Sequence, residues 1–218
     1  MKNVLDKFIG QYRPEFMDLR VFHRIGFVVV VQDGRADKVY SSELWGASAR
    51  ALINGSWGFS AINEVSKEGF ERILDEAARM AKASSSRVVE KGAVAKIKPI
   101  QDEVELPVKV KPEDIPVEDK VKTFRKLEEE MRKYSERIVN TVLSYSDSVD
   151  EELVVNSMGT MVRQKITRTR IGAFVVTKEG TILQRASEVE AGTKGYEVVE
   201  KFLEEEKHLK ACERAVKL

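Results

Sequence analysis

The segment Trp45-Gly46-Ala47-Ser48-Ala49-Arg50-Ala51-Leu52-Ile53-Asn54-Gly55-Ser56-Trp57-Gly58-Phe59-Ser60 constrains the fold more than any other stretch of this chain. It holds three glycines and both tryptophans of the protein. Side chains on a strand alternate between faces, and Ala47, Ala49, Ala51 and Ile53 keep that rhythm. Asn54-Gly55 then supplies a two-residue turn, because Asn and Gly both tolerate positive φ. The segment therefore reads as two short strands folded back on each other.

Around this hairpin the chain alternates strands with helices. Met1 to Phe8 starts an amphipathic helix. Asp18–Arg24 and Gly26–Gln32 read as strands broken at Ile25-Gly26, Asp33-Gly34 as a turn, and 38–42 as a third strand. Ser66 is an N-cap candidate for a helix whose apolar stripe is Phe70, Ile73, Leu74, Ala77, Ala78 and Ala81. From residue 87 to 116, four prolines (Pro99, Pro107, Pro112 and Pro116) rule out a long helix and leave an extended connector with an edge strand. A second helix starts at Val117, with Glu118 and Asp119 favourably placed in its first turn. Strands follow over 138–145, from Leu153, over 160–169, 172–178 and 181–187, with turns at Asp147-Ser148, Asn156–Gly159 and Glu179-Gly180. A final helix runs from Tyr196 to the end. The expected class is α+β: mostly antiparallel or mixed sheets covered by about four helices. The expected organisation is an N-terminal unit over 1–86, a connector over 87–116 and a second unit over 117–218.

Composition narrows the function classes. Lys and Arg number 37 against 36 Asp and Glu, a net charge of +1, so neither nucleic acid nor a membrane surface is the expected partner. No apolar run approaches a membrane span, and the N-terminus lacks the apolar stretch of a signal peptide. A single cysteine, Cys212, excludes an internal disulfide and fits a reducing compartment, so the cytoplasm is the expected location.

Few residues offer chemistry. The only histidines are His23 and His208, and neither stands in a metal-binding arrangement. His208, Cys212 and Glu204 or Glu205 share a helix face, but the plainer reading has Cys212 packed and His208 solvated. Gly55-Ser56-Trp57-Gly58-Phe59 lacks the G-x-S-x-G spacing of a nucleophile elbow. Gly192-Thr193-Lys194-Gly195 lacks the phosphate-loop spacing. The runs Glu128-Glu129-Glu130 and Glu204-Glu205-Glu206 read as solvated helix faces. Arg163, Lys165, Arg168 and Arg170 do not share one strand face without a bulge, and no aromatic interleaves with them to stack bases. Trp45 and Trp57 could line a groove, but packing is the plainer role. Arg50 reads as an ion-pair partner before a ligand contact.

Several motifs, in order, resemble the TldD/PmbA family of metallopeptidases. Gly46 to Phe59 is similar to its G-x-x-x-R-x-x-x-x-G-x-W-G-F signature. Leu19 to Gly34 resembles its opening strand pair, Ala77-Ala78-Arg79-Met80-Ala81 its alanine-rich helix, and Val117-Glu118-Asp119-Lys120-Val121 its helix after the proline connector. Tyr145-Ser146-Asp147 with Asn156-Ser157-Met158-Gly159 resembles its Y-x-D … N-S-x-G stretch, and Gly192 to Glu197 its G-G-x-G-Y-E loop.

The resemblance implies a dimeric peptidase, of one chain or two related ones, acting on short or unfolded peptides. It has links to peptide-antibiotic maturation and to gyrase toxins. It also implies a zinc-type metal on a C-terminal His-Glu-x-x-x-His helix with a later Cys ligand. No position here matches that motif. The expectation is therefore a non-catalytic N-terminal region serving dimerisation, chamber formation and guidance of extended peptide. It carries no catalytic, cofactor-binding or metal-binding residue, and zinc is expected only in a missing C-terminal region. Gly46, Arg50, Gly55, Trp57, Gly58 and Phe59 take structural or groove roles. The expected partners are a catalytic C-terminal half or related peptidase subunit, in a homo- or hetero-dimer, and a peptide substrate. The chain then reads as half of a split enzyme, a fragment of a longer one, or a stand-alone peptide-binding regulatory module. The first two predict an exposed apolar surface or an unsatisfied sheet edge for docking.

Overall fold

The computed structural model describes residues 1–217. Its elements are α1 (Lys2–Tyr12), β1 (Phe16–Gln32), β2 (Arg35–Ile53), β3 (Ser56–Ile62), α2 (Lys67–Ser84), β4 (Gln101–Glu105), α3 (Val117–Lys133), β5 (Ile138–Asn156), β6 (Met161–Glu179), β7 (Ile182–Gly192), α4 (Glu197–Glu204) and α5 (Lys207–Lys217), plus two short 3₁₀ turns. Strand pairing follows the order β3-β2-β1-β5-β6-β4, with β7 also on β6. The β2–β3 and β6–β7 pairs are antiparallel and β4–β6 is parallel. The class is α+β, as the alternation of strand and helix signals implies.

Two compact units emerge, each built from three stretches of chain. The first takes Met1–Arg24, Glu43–Glu105 and Asp150–Lys165; the second takes Ile25–Ser42, Leu106–Val149 and the chain from Ile166 onward. The reason lies in strand length. β1, β2, β5 and β6 run 17 to 19 residues each, well beyond the usual five or six, and each contributes to both units.

In the first unit α2 covers one face of the strands. Ser66 caps it, its side chain accepting from the Gly69 N–H at 3.0 Å. The whole expected stripe is buried, against Ala47, Ala49, Ala51 and Ile53 of β2 and Leu5 and Phe8 of α1. Burial of this apolar area supplies most of the stabilisation, at about 25 cal/mol per Å². The hairpin turn has Asn54 at φ 52° and Gly55 at φ 77°, the paired positive values of a type I′ turn.

In the second unit α3, α4 and α5 cover Phe27, Val29, Val31, Leu143, Tyr145, Ile171 and Val175. Phe124, Leu127 and Met131 are the buried apolar residues of α3.

Four expectations need correction. Ile25-Gly26, Asp147-Ser148 and Arg170-Ile171 do not break strands; each lies within a continuous one. Likewise the segment over 38–42 is continuous with the first arm of the hairpin. Gly26 is small because a Cβ there would come within 3.0 Å of Ser42 Oγ, and Asp147 is held in its strand by Lys120 Nζ at 3.0 Å. The last helix is two helices, parted where Glu206 adopts φ 48°, which brings the described helices to five; Leu218 lies outside the described residues. His208 and Glu128 are buried rather than solvated. The Glu128 Oε1 accepts from the Gly34 N–H at 3.1 Å and from the Thr141 hydroxyl.

Candidate functional site

The signature positions sort by strand face. Cross-strand register pairs Ala51 with Gly58, Leu52 with Trp57 and Arg50 with Phe59. Gly58 points at α2, where a Cβ would overlap the Ala77 carbonyl oxygen and reach 2.6 Å from the Ala81 nitrogen. The glycine permits backbone-to-backbone approach of strand and helix. Gly55 serves the turn. Gly46 meets no such demand: a Cβ there makes an ordinary 3.6 Å contact with the Ile62 oxygen.

Arg50, Trp57 and Phe59 occupy the opposite face. The Arg50 Nε donates to both Asp18 carboxylate oxygens at 3.2 and 3.1 Å, and its Nη2 also bonds Oδ2. This is the forked geometry a guanidinium makes with a carboxylate. Asp18 is buried while the Arg50 side chain is 40% exposed. The bond to Asp18 raises the Arg50 pKa above its ordinary value, against the opposing pull of burial, so Arg50 stays a cation at any physiological pH. Its guanidinium carbon lies 5.6 Å from the Trp57 ring centroid, within cation–π range, and Phe16 meets that ring edge-on at 5.9 Å. The chain chemistry is thus arginine on carboxylate on one side and on indole on the other.

Trp57 and Phe59 remain 42% and 57% exposed. β3 ends the strand order, so one row of its backbone N–H and C=O groups has no strand neighbour among the described residues. At the hairpin tip the connector returns: the Gly92 N–H donates to the Gly55 oxygen at 2.8 Å, and Gly92 lies against the Trp57 indole. Sequence reasoning missed Gly92, although a glycine inside a charged connector was there to be noticed.

Trp45 does not join Trp57. Strand alternation from Leu52, the partner of Trp57, puts Trp45 on the other face. It stacks on His23 at 3.6 Å between centroids and 11° between planes. The Glu43 Oε1 bridges them, 2.9 Å from the His23 Nε2 and accepting from the Trp45 Nε1 at 3.0 Å. Those two bonds, that to His23 first, hold the Glu43 carboxyl below the usual range.

The motifs of the second unit form ties between elements. Lys120, 4% exposed at its side chain, bonds Asp147, and the Tyr145 hydroxyl donates to the same carboxylate at 2.6 Å. Lys120 Nζ also lies 4.8 Å from the Phe27 ring. Burial, then Asp147, pushes the Tyr145 pKa up. Lys120 lies three residues after Val117, buried on α3 with Phe124 and Leu127. In the Gly195-Tyr196-Glu197 stretch a Cβ on Gly195 would overlap the Val110 oxygen. The Tyr196 N–H donates to that oxygen at 2.7 Å, while the Glu197 carboxylate accepts from the Lys109 and Val110 N–H groups at 3.2 Å each. Burial raises the Glu197 pKa, but the backbone N–H groups outweigh it and the net shift is downward. Asn156 Oδ1 caps the next turn, accepting from Met158 and Thr160 N–H groups at 3.0 Å.

Metal-ligand chemistry does not fit the residues at hand. His208 Nε2 lies 3.1 Å from the Glu130 Oε2, its Nδ1 is buried without a partner, and Glu205 pairs with Lys201 and Lys207. Cys212 is buried, and burial pushes its thiol up to about 12, whereas a metal takes the thiolate. Among the described residues no group of three His, Cys, Asp or Glu is placed to hold a metal ion. Of the basic stretch, Arg163 bonds Glu103 and Glu151 at 3.2 and 3.1 Å and Lys165 lies 3.3 Å from Glu105. No helix of the described residues is long and apolar enough to cross a membrane.

Residues 17–81 match PmbA/TldA metallopeptidase domain 1 and residues 110–218 match the PmbA/TldA metallopeptidase central domain. The chain belongs to the PmbA/TldD metallopeptidase family. It is 26% identical over 182 residues to a metalloprotease of Methanocaldococcus jannaschii, covering 82% of this chain and 39% of that protein. It is 27% identical over 208 residues to a metalloprotease of Methanothermobacter thermautotrophicus, covering 94% and 44%. The chain thus spans less than half the length of either relative. Its fold is that of TldE from Thermococcus kodakarensis (TM-score 0.76, 14% identity, 99% of this chain and 47% of that one). A putative modulator of a DNA gyrase from Thermotoga maritima shares it too (TM-score 0.74, 15% identity, 99% and 47%).

Proposed function

We propose that this chain is the assembly and peptide-guiding region of a metal-dependent peptidase and supplies no catalytic group itself. The observation that carries this reading is the open edge of β3 beside the exposed pair Trp57 and Phe59. An extended peptide or a partner strand adds to such an edge through main-chain hydrogen bonds, and an exposed aromatic pair provides apolar area for docking. The relatives are longer proteins described as metalloproteases, which supports a further region or subunit bearing the zinc. The occupant is a catalytic C-terminal region or a related peptidase subunit, in a homo- or hetero-dimer that encloses the reaction chamber. Extended peptide is the substrate, neither nucleic acid nor membrane is a partner, and the cytoplasm is the site of action. Arg50, fixed by Asp18 and Trp57, keeps this face rigid, and Gly58 keeps the hairpin seated on α2.

Metal analysis and a peptidase assay on the purified 218-residue chain test this proposal. The expected result is neither stoichiometric zinc nor hydrolysis of unfolded peptides. Stoichiometric zinc together with hydrolysis that a chelator abolishes would overturn it.

A further inference from the structure

We propose that the second unit carries an oxyanion-binding pocket, for a carboxylate or phosphate group, between β5, β6 and the Gly192–Gly195 loop. Its volume is about 480 Å³, and its lining includes Ser146, Ser148, Arg168, Arg170 and Thr193. Two sequence features meet here: half of the basic stretch and the Gly192–Gly195 loop.

The lining residues come from three elements. Arg168 and Arg170 are alternate residues of β6 and project from one face, about 6.7 Å apart along the strand. Ser146 and Ser148 line it from β5, the neighbouring strand, and Thr193 from the loop after β7. A guanidinium carries five N–H donors in a fork, so each arginine can serve a ligand alongside its neighbours in the protein. The Arg170 guanidinium rests over Gly172 with its Nη1 3.3 Å from the Ser144 Oγ, and it turns back toward Arg168 to serve a ligand. The wall includes one acid, Asp147, whose carboxylate faces away into its bonds with Lys120 and Tyr145.

The pocket is built rather than floppy. Thr169, between the two arginines, points to the other face, where its hydroxyl donates to the Lys194 oxygen at 3.1 Å. The loop is held again two residues later, where the Tyr196 N–H bonds the Val110 oxygen. Thr193 is thus fixed against β6 before any ligand arrives, which lowers the ordering cost of binding. Guanidinium forks with flanking hydroxyls suit planar or tetrahedral oxyanions better than neutral groups. The site rests on the geometry of this unit and stands apart from the peptidase reading.

The test is titration of the ¹⁵N-labelled chain with three probes: inorganic phosphate, a short peptide with a free C-terminal carboxylate, and the same peptide as its C-terminal amide. Saturable shifts of the Arg168, Arg170 and Thr193 amides with the free acid but not the amide identify a peptide carboxylate as the ligand. The same shifts with phosphate alone identify a phosphate source. In both cases Arg168→Gln/Arg170→Gln weakens binding about tenfold, because each partly exposed charge contact contributes about threefold. Thr193→Val gives a smaller loss and serves as the second variant if the double substitution disturbs the fold. No saturable shift with phosphate or the free acid, or equal affinity in both variants, overturns the proposal.

Discussion

Replacing Gly58 with alanine adds one methyl group where β3 and α2 touch, and the structure fixes its cost. The new Cβ would overlap the Ala77 carbonyl oxygen and stand 2.6 Å from the Ala81 nitrogen. Both obstacles are helix backbone, so no rotamer change relieves them. The helix must move off the strand, or the strand must bend, in a core where Ala47, Ala49, Ala51, Ala77, Ala78 and Ala81 are all at most 5% exposed. Overpacking of this kind costs about 1–3 kcal/mol, and backbone obstruction places Gly58→Ala near the top, at about 3 kcal/mol. With a urea slope of about 3 kcal/mol per M for a chain of this size, the midpoint falls by about 1 M. Trp57, the preceding residue, reports the transition by fluorescence. Gly46→Ala is the control: it lies in the same signature, meets nothing closer than 3.6 Å, and shifts stability by less than about 0.5 kcal/mol. A Gly58→Ala midpoint equal to that of the parent chain, or a larger loss from Gly46→Ala, would refute the argument.

Three further outcomes follow from the same geometry. Asp18→Asn leaves Arg50 without its forked acceptor and lowers stability by about 1–2 kcal/mol, a figure reduced from the fully buried case because Arg50 is 40% exposed; urea melts of D18N that match the parent would contradict it. The Glu197 pKa is lower folded than its ordinary 4.5, so its contribution is full above about pH 4.5 and fades as pH falls through the folded value. Glu197→Gln therefore costs about 1–2 kcal/mol at pH 7, and the gap from the parent closes in acid; a gap that widens below pH 4 would reverse the sign assigned here. Cys212, buried with its thiol pushed up to about 12, reacts with a thiol reagent at pH 8 only as fast as the chain opens, so immediate labelling of native protein would place the residue elsewhere.

Local signals carried the hairpin and the helices. Asn54-Gly55 needs nothing beyond its own φ values to turn, and the α2 stripe is written in spacings of three and four. The strands were harder. Gly26, Asp147 and Arg170 look like interruptions in sequence, yet Gly26 is small for Ser42, and Asp147 is an acid in a strand because Lys120 arrives from α3. Such reasons are tertiary and leave no periodic trace. The break at Glu205-Glu206 has no Gly or Pro to announce it, since Glu206 itself takes the left-handed conformation. Glu128 and His208 look solvated among charged neighbours until Thr141, Gly34 and Glu130 are placed around them. At the candidate site, Arg50 was legible as an ion-pair partner because an arginine amid alternating alanines needs a carboxylate. The separation of Trp45 from Trp57 was legible only in part, through strand parity. The two Gly-Tyr-Glu and Tyr-x-Asp motifs were visible as patterns, while their work as ties to Val110 and Lys120 was not.

Hydrogen–deuterium exchange of the chain, alone and mixed with a family region bearing His-Glu-x-x-x-His, tests the central claim most directly. The account predicts a complex in which the amides of Ser56–Ile62 gain protection, and in which Trp57→Asp/Phe59→Asp removes both the protection and the complex. A complex that leaves Ser56–Ile62 exchanging as in the free chain would contradict it.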